Sequence, residues 1–359
     1  MKASALIYSE NEFGKLDGKV ANGLARHSEK YEILGVIDST KVGLDTGEYL
    51  DNKKSGIPIF SSIMDAINIL KLVPEYFIYG IAPLASYLNE DQKKIIFDAM
   101  QKGMNIVNGL PEFFNDNEEY RLKATEYGVK MYDIRKSPPR KDLHIFTGKI
   151  NAVKTPVIMI AGTDCAVGKR TTAVTLVTAL RDQGVKATFI ATGQTGILQG
   201  SKFGVAIDVL SSGFATGEVE NAILEAIQED NPDIIIVEGQ GALSHPAFTS
   251  SSAILRGAMP KAIIVQHPPK RLNHCDYPNI PMPTLESEIE LIEVFSKSHV
   301  IAITINHEDM VDEELETTID KYEYEYELPT TDVLIHGCDK LIRELYKVFP
   351  KLGQATKIC

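Results

Sequence analysis

Short apolar runs alternate with amphipathic stretches along almost the whole chain. In the first part, runs rich in β-branched and aromatic residues predict strands at residues 3–8, 31–37, 76–79, 105–107 and 129–132. The stretch 89–102 lies between two of these strands, and its apolar residues Ile95, Ile96, Ala99 and Met100 recur at helical spacing. This alternation predicts a parallel sheet covered by helices on both faces.

A second series of strands follows the charged, proline-containing segment 137–156. It predicts strands at residues 157–161, 188–191, 234–237, 262–266, 300–305 and 332–336. A chain of 359 residues is also longer than one hydrophobic core normally spans. We therefore predict an α/β protein of two domains. The first is a parallel sheet with its linker at 1–154, and the second is another parallel sheet at 155–359.

The charge and hydropathy of the chain exclude two classes of partner. A formal net charge of -12 and a pI near 5.2 repel a phosphate backbone, and no basic patch offsets this repulsion. The longest apolar stretch, 78–88, is broken by Gly80 and Pro83 and is far shorter than the ~20 residues that cross a bilayer. We expect neither a nucleic-acid partner nor a membrane segment.

The cysteines and the N-terminus predict a cytoplasmic protein. A short apolar run at 3–7 is followed by Glu10 and Glu12 without a cleavage-type segment. The cysteines lie far apart, without metal-ligand spacing, at Cys165, Cys275, Cys338 and Cys359. Symmetric self-association is the usual behaviour of soluble enzymes, so we expect a homo-oligomer.

The strongest chemical signal is a glycine-containing loop between a predicted strand and a predicted helix. Its residues are Gly162, Thr163, Asp164, Cys165, Ala166, Val167, Gly168, Lys169, Arg170, Thr171 and Thr172. In such a loop, glycine permits a turn that points backbone N–H groups inward, and the helix N-terminus adds partial positive charge. The lysine reaches the outer phosphates of a bound cofactor. We predict that the whole segment binds these phosphates.

The loop departs from the common phosphate-binding pattern in two ways. Gly162 and Gly168 are separated by one residue more than usual, and Arg170 replaces the Ser or Thr whose hydroxyl ligates magnesium. Thr171 and Thr172 follow at the next two positions. Such a loop can hold ATP, or hold the phosphates of coenzyme A without cleaving them.

A second segment, 234–246, is a buried-type strand that ends in Glu238 and continues into a glycine-rich turn. Ligands of parallel sheets gather at the carboxyl ends of strands, so we expect Glu238 on the same rim as the loop. There it can ligate magnesium or act as a base; the alternative is a carboxylate held only by backbone N–H groups. His245 is a candidate proton shuttle for an amine or carboxyl substrate, or a residue that hydrogen-bonds only local backbone.

These observations give a predicted set of site residues. The catalytic candidates are Lys169, Glu238 and His245. The substrate-binding candidates follow strands on the same rim and are Gln194, Gly239, Gln240, Gly241, Ser244, His245 and Arg271. Gln194 lies in a segment that is equally compatible with a flexible loop, and Arg271 in one that is equally compatible with a solvated basic turn.

Segments 162–172 and 237–246 together resemble the hallmark pair of the domain-of-unknown-function 1611 family, over essentially the whole chain. That family includes the D-glutamate N-acetyltransferase of bacterial D-glutamate breakdown. The C-terminal half is also similar to dethiobiotin synthetase, a P-loop NTPase-like protein. This similarity implies that Asp164 and Glu238 share a magnesium ion and that Lys169 holds phosphate, whereas Arg170 departs from its pattern.

The N-terminal half resembles nucleotide- and coenzyme A-binding Rossmann-like domains. After the first strand it has Gly14, Gly18 and Gly23 without the G-x-G-x-x-G pattern, although Asp38 ends the second strand where a ribose-binding carboxylate would lie.

The family resemblance implies acyl transfer from acetyl-coenzyme A to the amino group of an acidic amino acid such as D-glutamate. The loop then holds the coenzyme's phosphates, His245 or Glu238 takes the amine proton, and N–H groups at 239–241 stabilise the oxyanion. Two alternatives stay open. One is an ATP- and magnesium-dependent ligase or kinase like dethiobiotin synthetase, and the other is a regulator that binds a nucleotide without turnover.

Overall fold

The computed structural model describes residues 2–83 and 88–352, and the chain forms two compact units. Unit 1 comprises Met1–Ser137 and Gln194–Ser201, and unit 2 comprises Pro138–Gly193 and Lys202–Cys359. Residues 84–87 of the apolar stretch 78–88, and the C-terminal segment 353–359 with Cys359, lie outside the described residues. In the described part of the chain, no helix has the length and apolar composition needed to cross a bilayer.

Unit 1 contains one six-stranded parallel sheet. Its strands are β1 (Ala3–Tyr8), β2 (Tyr31–Ile37), β3 (Ile59–Phe60), β4 (Tyr76–Tyr79), β5 (Asn105–Asn108) and β6 (Met131–Asp133). Their order in the sheet is β3-β2-β1-β4-β5-β6. Its helices include α1 (Lys19–Arg26), α2 (Thr46–Asp51), α3 (Ile63–Leu70), α4 (Glu90–Gln101) and α5 (Glu118–Tyr127). Two separate clusters of buried apolar side chains surround this sheet, so both of its faces are covered, as predicted.

Unit 2 contains a seven-stranded parallel sheet and a separate hairpin. The strands are β7 (Val157–Gly162), β8 (Ala187–Ala191), β9 (Phe203–Gly204), β10 (Ile234–Glu238), β11 (Ala262–His267), β12 (Asn273–His274), β13 (Tyr277–Pro281), β14 (Val300–Ile305) and β15 (Thr330–Thr331). The helices are α6 (Lys169–Asp182), α8 (Ser212–Asp230), α9 (Ser250–Ala258), α10 (Leu285–Ser296), α11 (Asp312–Tyr326) and α12 (Asp339–Val348). The sheet order is β15-β14-β11-β7-β10-β8-β9, and β12 pairs only with β13. The predicted class, an α/β protein with two parallel sheets, is confirmed.

One short helix, α7 (Gln194–Gln199), belongs to unit 1 although its neighbours in sequence belong to unit 2. The side chain of Gln199 is buried and donates hydrogen bonds to the carbonyl oxygens of Gly23 (2.8 Å) and His27 (3.0 Å), at the end of α1. These bonds fix α7 beside α1. Gln194 therefore belongs to unit 1, whereas the other predicted substrate-binding residues belong to unit 2.

The segment between the two sheets is part of unit 2. Glu220 on α8 is buried, and its carboxylate accepts hydrogen bonds from the N–H groups of Thr147 (2.6 Å) and Ile150 (3.1 Å). These bonds tie 138–154 to α8, so the division between the units falls after Ser137, before the predicted boundary at residue 154.

The predicted strand at 332–336 is wrong, because these residues form a turn. The carboxylate of Asp332 accepts hydrogen bonds from the N–H groups of Leu334 (2.9 Å) and Ile335 (3.2 Å), and its carbonyl accepts one from His336 (2.8 Å). An aspartate that bonds the backbone two and three residues ahead stabilises a turn, and here it outweighs the strand preference of the apolar run.

The order of strands in unit 2 places four connections along one edge of the sheet. β11, β7, β10 and β8 are adjacent and parallel, so the segments that follow their carboxyl ends share that edge. These segments begin at residues 163, 192, 239 and 268. The predicted rim is therefore present, and the candidate site lies on it.

Candidate functional site

The loop between β7 and α6 has the backbone of an anion-binding turn. Ala166 (φ 50°) and Gly168 (φ 106°) have left-handed backbone conformations. Gly168 directly precedes the first residue of α6, so the loop leads into a helix N-terminus. Consecutive N–H groups at the start of a helix attract an anion.

Lys169 is the first residue of α6 and is buried, with 5% of its surface exposed. Its ammonium group donates a hydrogen bond to the carbonyl oxygen of Asp164, across the loop. Burial lowers the pKa of Lys169, and the nearby Cys165 and Asp164 act in the opposite direction. A bound anion would also favour the charged form of this lysine.

Asp164 is the centre of a buried network. Its carboxylate accepts hydrogen bonds from Nη1 of Arg271 (2.9 Å) and from the N–H of Cys275 (2.8 Å), and it lies 2.7 Å from Nδ1 of His274. Burial favours the neutral acid, but the bonds from His274, Cys275 and Arg271 lower the pKa of Asp164 overall. Asp164 is therefore ionised near neutral pH.

Arg271 joins Asp164 to a second carboxylate. Its Nε and Nη2 donate to the two oxygens of Glu308 at 2.7 and 2.6 Å, and Nη1 also donates to the carbonyl oxygen of Cys165 at 2.9 Å. Such a bidentate pair holds the guanidinium in one orientation. Arg271 is therefore a fixed cation beside the loop.

His274 was not among the predicted site residues. It lies on β12, a strand of two residues, and β13 contains Pro278 and Pro281. Neither strand has a recognisable apolar pattern, so the sequence gives no hairpin signal. The only available signal was the sequence of His274, Cys275 and Asp276 shortly after the basic turn that follows β11.

His245 has a defined tautomer. Its Nδ1 accepts hydrogen bonds from the N–H groups of Ala247 (3.2 Å) and Phe248 (3.1 Å), so in the neutral ring the proton is on Nε2. Nε2 lies 3.7 Å from Oδ1 of Asp164, beyond hydrogen-bond distance, and has no partner among the described residues. Burial and the neighbouring His274 lower the pKa of His245. Neutral His245 is thus a hydrogen-bond donor.

Glu238 ends β10 and is held by the end of β8. Its Oε2 accepts the N–H of Thr192 at 3.0 Å, and the hydroxyl of Thr192 donates to the Glu238 carbonyl at 2.9 Å. Burial raises the pKa of Glu238, against the opposing charges of Arg170 and Lys169 and the backbone hydrogen bonds. The cation that acts most on this carboxyl group is therefore Arg170, the residue at the usual magnesium-ligating position.

A magnesium ion shared by Asp164 and Glu238 does not fit these contacts. The oxygens of Asp164 face a guanidinium, an N–H group and an imidazole, and Glu238 is bonded by backbone N–H groups. The hydroxyl of Thr172 donates to the side chain of Gln266 on β11. Hard cations need several free oxygen ligands, and these oxygens are already occupied by donors.

A second metal arrangement also fails on hydrogen bonding. Asp164, His245 and His274 offer ligand atoms within 4.8 Å of one another. A histidine that ligates through Nε2 needs its proton on Nδ1, where it normally donates to an acceptor. Nδ1 of His245 instead accepts two N–H groups, so this ring keeps its Nε2 proton.

The remaining predicted residues have structural contacts. The hydroxyl of Ser244 donates to Glu288 on α10 at 2.6 Å, and the N–H of Leu243 donates to the same carboxylate. Gln240 donates to the hydroxyl of Thr192 at 2.9 Å. A Cβ at Gly241 would lie 3.2 Å from Sγ of Cys165, so this turn passes close to the loop. The site therefore combines the segments after β7, β10 and β11.

In unit 1, the carboxylate that would bind a ribose is already used. Asp38 is fully buried and accepts hydrogen bonds from the N–H of Phe13 (3.3 Å), from Thr40 and from the ammonium of Lys41 (2.8 Å). These contacts give Asp38 a structural role and argue against a dinucleotide at this position.

Fold and loop together define a two-domain protein with a Rossmann-like N-terminal domain and a P-loop C-terminal domain. The chain belongs to the DUF1611 family. Residues 144–342 match the model described as "Domain of unknown function (DUF1611_C) P-loop domain", and residues 39–137 match "Domain of unknown function (DUF1611_N) Rossmann-like domain".

Several known proteins are similar to this chain over most of its length. A D-glutamate N-acetyltransferase from Pseudoalteromonas sp is 32% identical over 281 residues, which cover 77% of this chain and 82% of the relative. A second protein of that name, from Tritonibacter scottomollicae, is 29% identical and covers 76% and 81%. The crystal structure of a DUF1611 family protein from Anabaena variabilis has a TM-score of 0.87 at 28% identity and covers 96% of this chain and 100% of that one.

Proposed function

We propose that this protein transfers an acetyl group from acetyl-coenzyme A to the amino group of an acidic amino acid such as D-glutamate. Two relatives carry the name of this activity, and each is similar over about three quarters of the chain. The observation that carries the proposal is the cation content of the loop, where the buried Lys169 is held across the loop by the Asp164 carbonyl and Arg170 follows it in sequence. Fixed cations here suit an anionic reactant that is bound without metal.

The same observation argues against the ligase or kinase alternative. Cleavage of ATP in a P-loop needs a magnesium ion, which is normally held by the hydroxyl that follows the loop lysine. Arg170 occupies that position, and the carboxylates of Asp164 and Glu238 are bonded by protein donors. Acetyl transfer needs no such ion, because the thioester already supplies an activated acyl group.

The reaction can be balanced with the groups of this site. The acceptor enters as an ammonium ion and loses one proton, which ends in solvent, so that its nitrogen has a lone pair. This amine nitrogen attacks the thioester carbonyl, a C–N bond forms and the C–S bond breaks. A second N–H proton is transferred to the departing coenzyme A thiolate. His245 provides an Nε2–H donor of the kind that stabilises a developing oxyanion. Lys169 provides positive charge for an anionic group of the reactants, whereas Arg271 is paired with Asp164 and Glu308.

A ligand panel with and without metal tests the proposal against both alternatives. We expect acetyl-coenzyme A to raise the unfolding temperature in 5 mM EDTA, and N-acetyl product to form at an undiminished rate there, about as in excess magnesium. Loss of product formation in EDTA, with ADP formed when ATP and magnesium are supplied, would support the ligase instead. Ligand-induced stabilisation without product from any donor would support the regulator.

A further inference from the structure

We propose that His274 is the general base of the acetyl transfer and that Asp164 positions it. The proposal rests on the function proposed above and assigns the proton-accepting step to a residue on the hairpin β12–β13. The observation that carries it is the distance of 2.7 Å between Nδ1 of His274 and Oδ1 of Asp164, both fully or almost fully buried.

The hydrogen bond to Asp164 determines the tautomer of His274. Asp164 is ionised, and a carboxylate can only accept, so the ring proton lies on Nδ1 of His274. Its Nε2 then carries the lone pair that a general base needs. A carboxylate that orients an imidazole in this way also stabilises the imidazolium formed after proton transfer.

The other two candidates for the base are occupied by hydrogen bonds to the backbone. His245 accepts two N–H groups at Nδ1 and keeps its proton on Nε2, which makes it a donor. Oε2 of Glu238 accepts the N–H of Thr192, and the Thr192 hydroxyl donates to the Glu238 carbonyl, so Glu238 is held at the end of β8. His274 is the titratable group of this cluster whose free ring nitrogen can accept a proton.

The dyad lies in a network of charged groups. Asp164 and Glu308 contribute two negative charges and Arg271 contributes one positive charge beside the His274 ring. Lys169 and Asp276, which have opposite charges, act on the neighbouring His245. Cys275 stays a neutral thiol, because burial raises its pKa.

The hairpin holds the ring beside the loop. His274 is 3% exposed, and the strand that carries it pairs with β13. His274 and the N–H of Cys275 both bond the carboxylate of Asp164, which fixes this end of the hairpin to the loop. In the proposed step, Nε2 of His274 takes a proton from the acceptor nitrogen and returns it to the thiolate of coenzyme A.

The proposal is tested with His274→Gln, which keeps a polar side chain, and with the matched control His299→Gln on the exposed surface. Without a base, we expect kcat/KM at pH 7 to fall by about 10²–10⁴-fold. The rate of the His274→Gln enzyme should then rise by about tenfold per pH unit up to pH 9, because the free amine replaces the missing base. Imidazole in the buffer should restore part of the activity of His274→Ala. The control should match the wild type.

Asp164→Asn tests the positioning role. An amide does not select the Nδ1–H tautomer, so we expect a loss in kcat that diminishes at high pH, with less than about a threefold change in the KM for acetyl-coenzyme A. A structural role alone would not give this recovery with pH. Binding of acetyl-coenzyme A, measured by calorimetry, shows that each variant is folded.

The possible failures are distinguishable. If the wild type forms no N-acetyl product with acidic amino acids, the proposed function is wrong. If it forms product and His274→Gln stays within about threefold of the wild type at pH 7, the function stands and the dyad is wrong. A stoichiometric metal ion in the purified wild type that is absent from His274→Gln would also overturn the dyad in favour of a metal site.

Discussion

Replacing Asp164 by asparagine should destabilise unit 2 by about 3 kcal/mol. The carboxylate accepts from three donors, the buried His274 and the half-buried Arg271 and Cys275. In the variant, the amide NH2 faces at least one of these donors, which costs about 1–3 kcal/mol, and the other bonds lose about 1 kcal/mol each without the charge. Arg271 keeps its bidentate bond to Glu308, so the loss stays at the lower end of the 3–5 kcal/mol expected for a broken buried pair.

The pH dependence of this difference has a defined sign. The pKa of Asp164 is lowered in the folded protein, so its contribution is fully present above the ordinary carboxyl pKa of about 3.9 and is lost as pH falls through the folded value. Between pH 5 and 8 the titration of Asp164 itself should therefore add no pH dependence to the difference between wild type and variant.

Differential scanning calorimetry at pH 5, 6.5 and 8 measures the effect. For a unit of this size, about 3 kcal/mol corresponds to a decrease in Tm of about 6–12 °C. The control is Asp182→Asn, an exposed residue at the end of α6, for which we expect less than about 0.5 kcal/mol. A decrease below about 1 kcal/mol, or a stabilised variant, would refute the conclusion that Asp164 is an ionised and fully paired carboxylate.

Two further predictions concern other residues of unit 2. Glu220→Gln should lower the free energy of unfolding by about 2 kcal/mol, because one of the N–H groups of Thr147 and Ile150 then faces an amide NH2. Hydrogen exchange at these two amides should accelerate. The control Glu225→Gln, on the same helix, should leave their exchange unchanged. Lys169→Met should raise the KM for the acidic acceptor by about tenfold or more, from the loss of a charge-assisted bond. The Lys169→Met substitution should change the KM for acetyl-coenzyme A less. The thioester must lie near the dyad, which is beside Lys169 at the loop, and the pantetheine arm then keeps the coenzyme's diphosphate away from this lysine. The reverse pattern in steady-state kinetics would place the coenzyme's phosphates in the loop.

The loop was recognisable from the sequence because its chemistry is local. A strand, a glycine, a lysine and a helix follow one another within 157–182, and the fold needs only the β7-to-α6 turn to present them. The rim was also predictable, since parallel strands place their carboxyl ends together. Glu238 and Gly239 follow from that rule alone.

The network around Asp164 could not be found in the same way. Arg271 and His274 are 107 and 110 residues from Asp164 in sequence, and the position of His274 depends on a hairpin without an apolar pattern. Nor does the sequence reveal the tautomer of His245, which is set by two N–H groups of its own turn. Local patterns predict strands and loops, whereas protonation states depend on neighbours that only the fold supplies.

The assignment of α7 to unit 1 could not be predicted from the sequence either. The helix lies between β8 and β9 of unit 2 in sequence, but Gln199 donates to the carbonyl oxygens of His27 and Gly23 at the end of α1, 172 and 176 residues away. Periodicity does not reveal which sheet a helix joins, so the sequence does not show that Gln194 belongs to unit 1.

The most direct test of the proposed function is the stoichiometry of the two products. The wild-type protein is incubated with acetyl-coenzyme A labelled with ¹³C in the acetyl group, an acidic amino acid and EDTA. Free thiol and N-acetyl amino acid are then measured in the same sample. We expect equal amounts of both, with the labelled acetyl group bonded to the amino nitrogen of the product. Thiol released without labelled N-acetyl product, or no turnover until ATP and magnesium are added, would contradict the proposal.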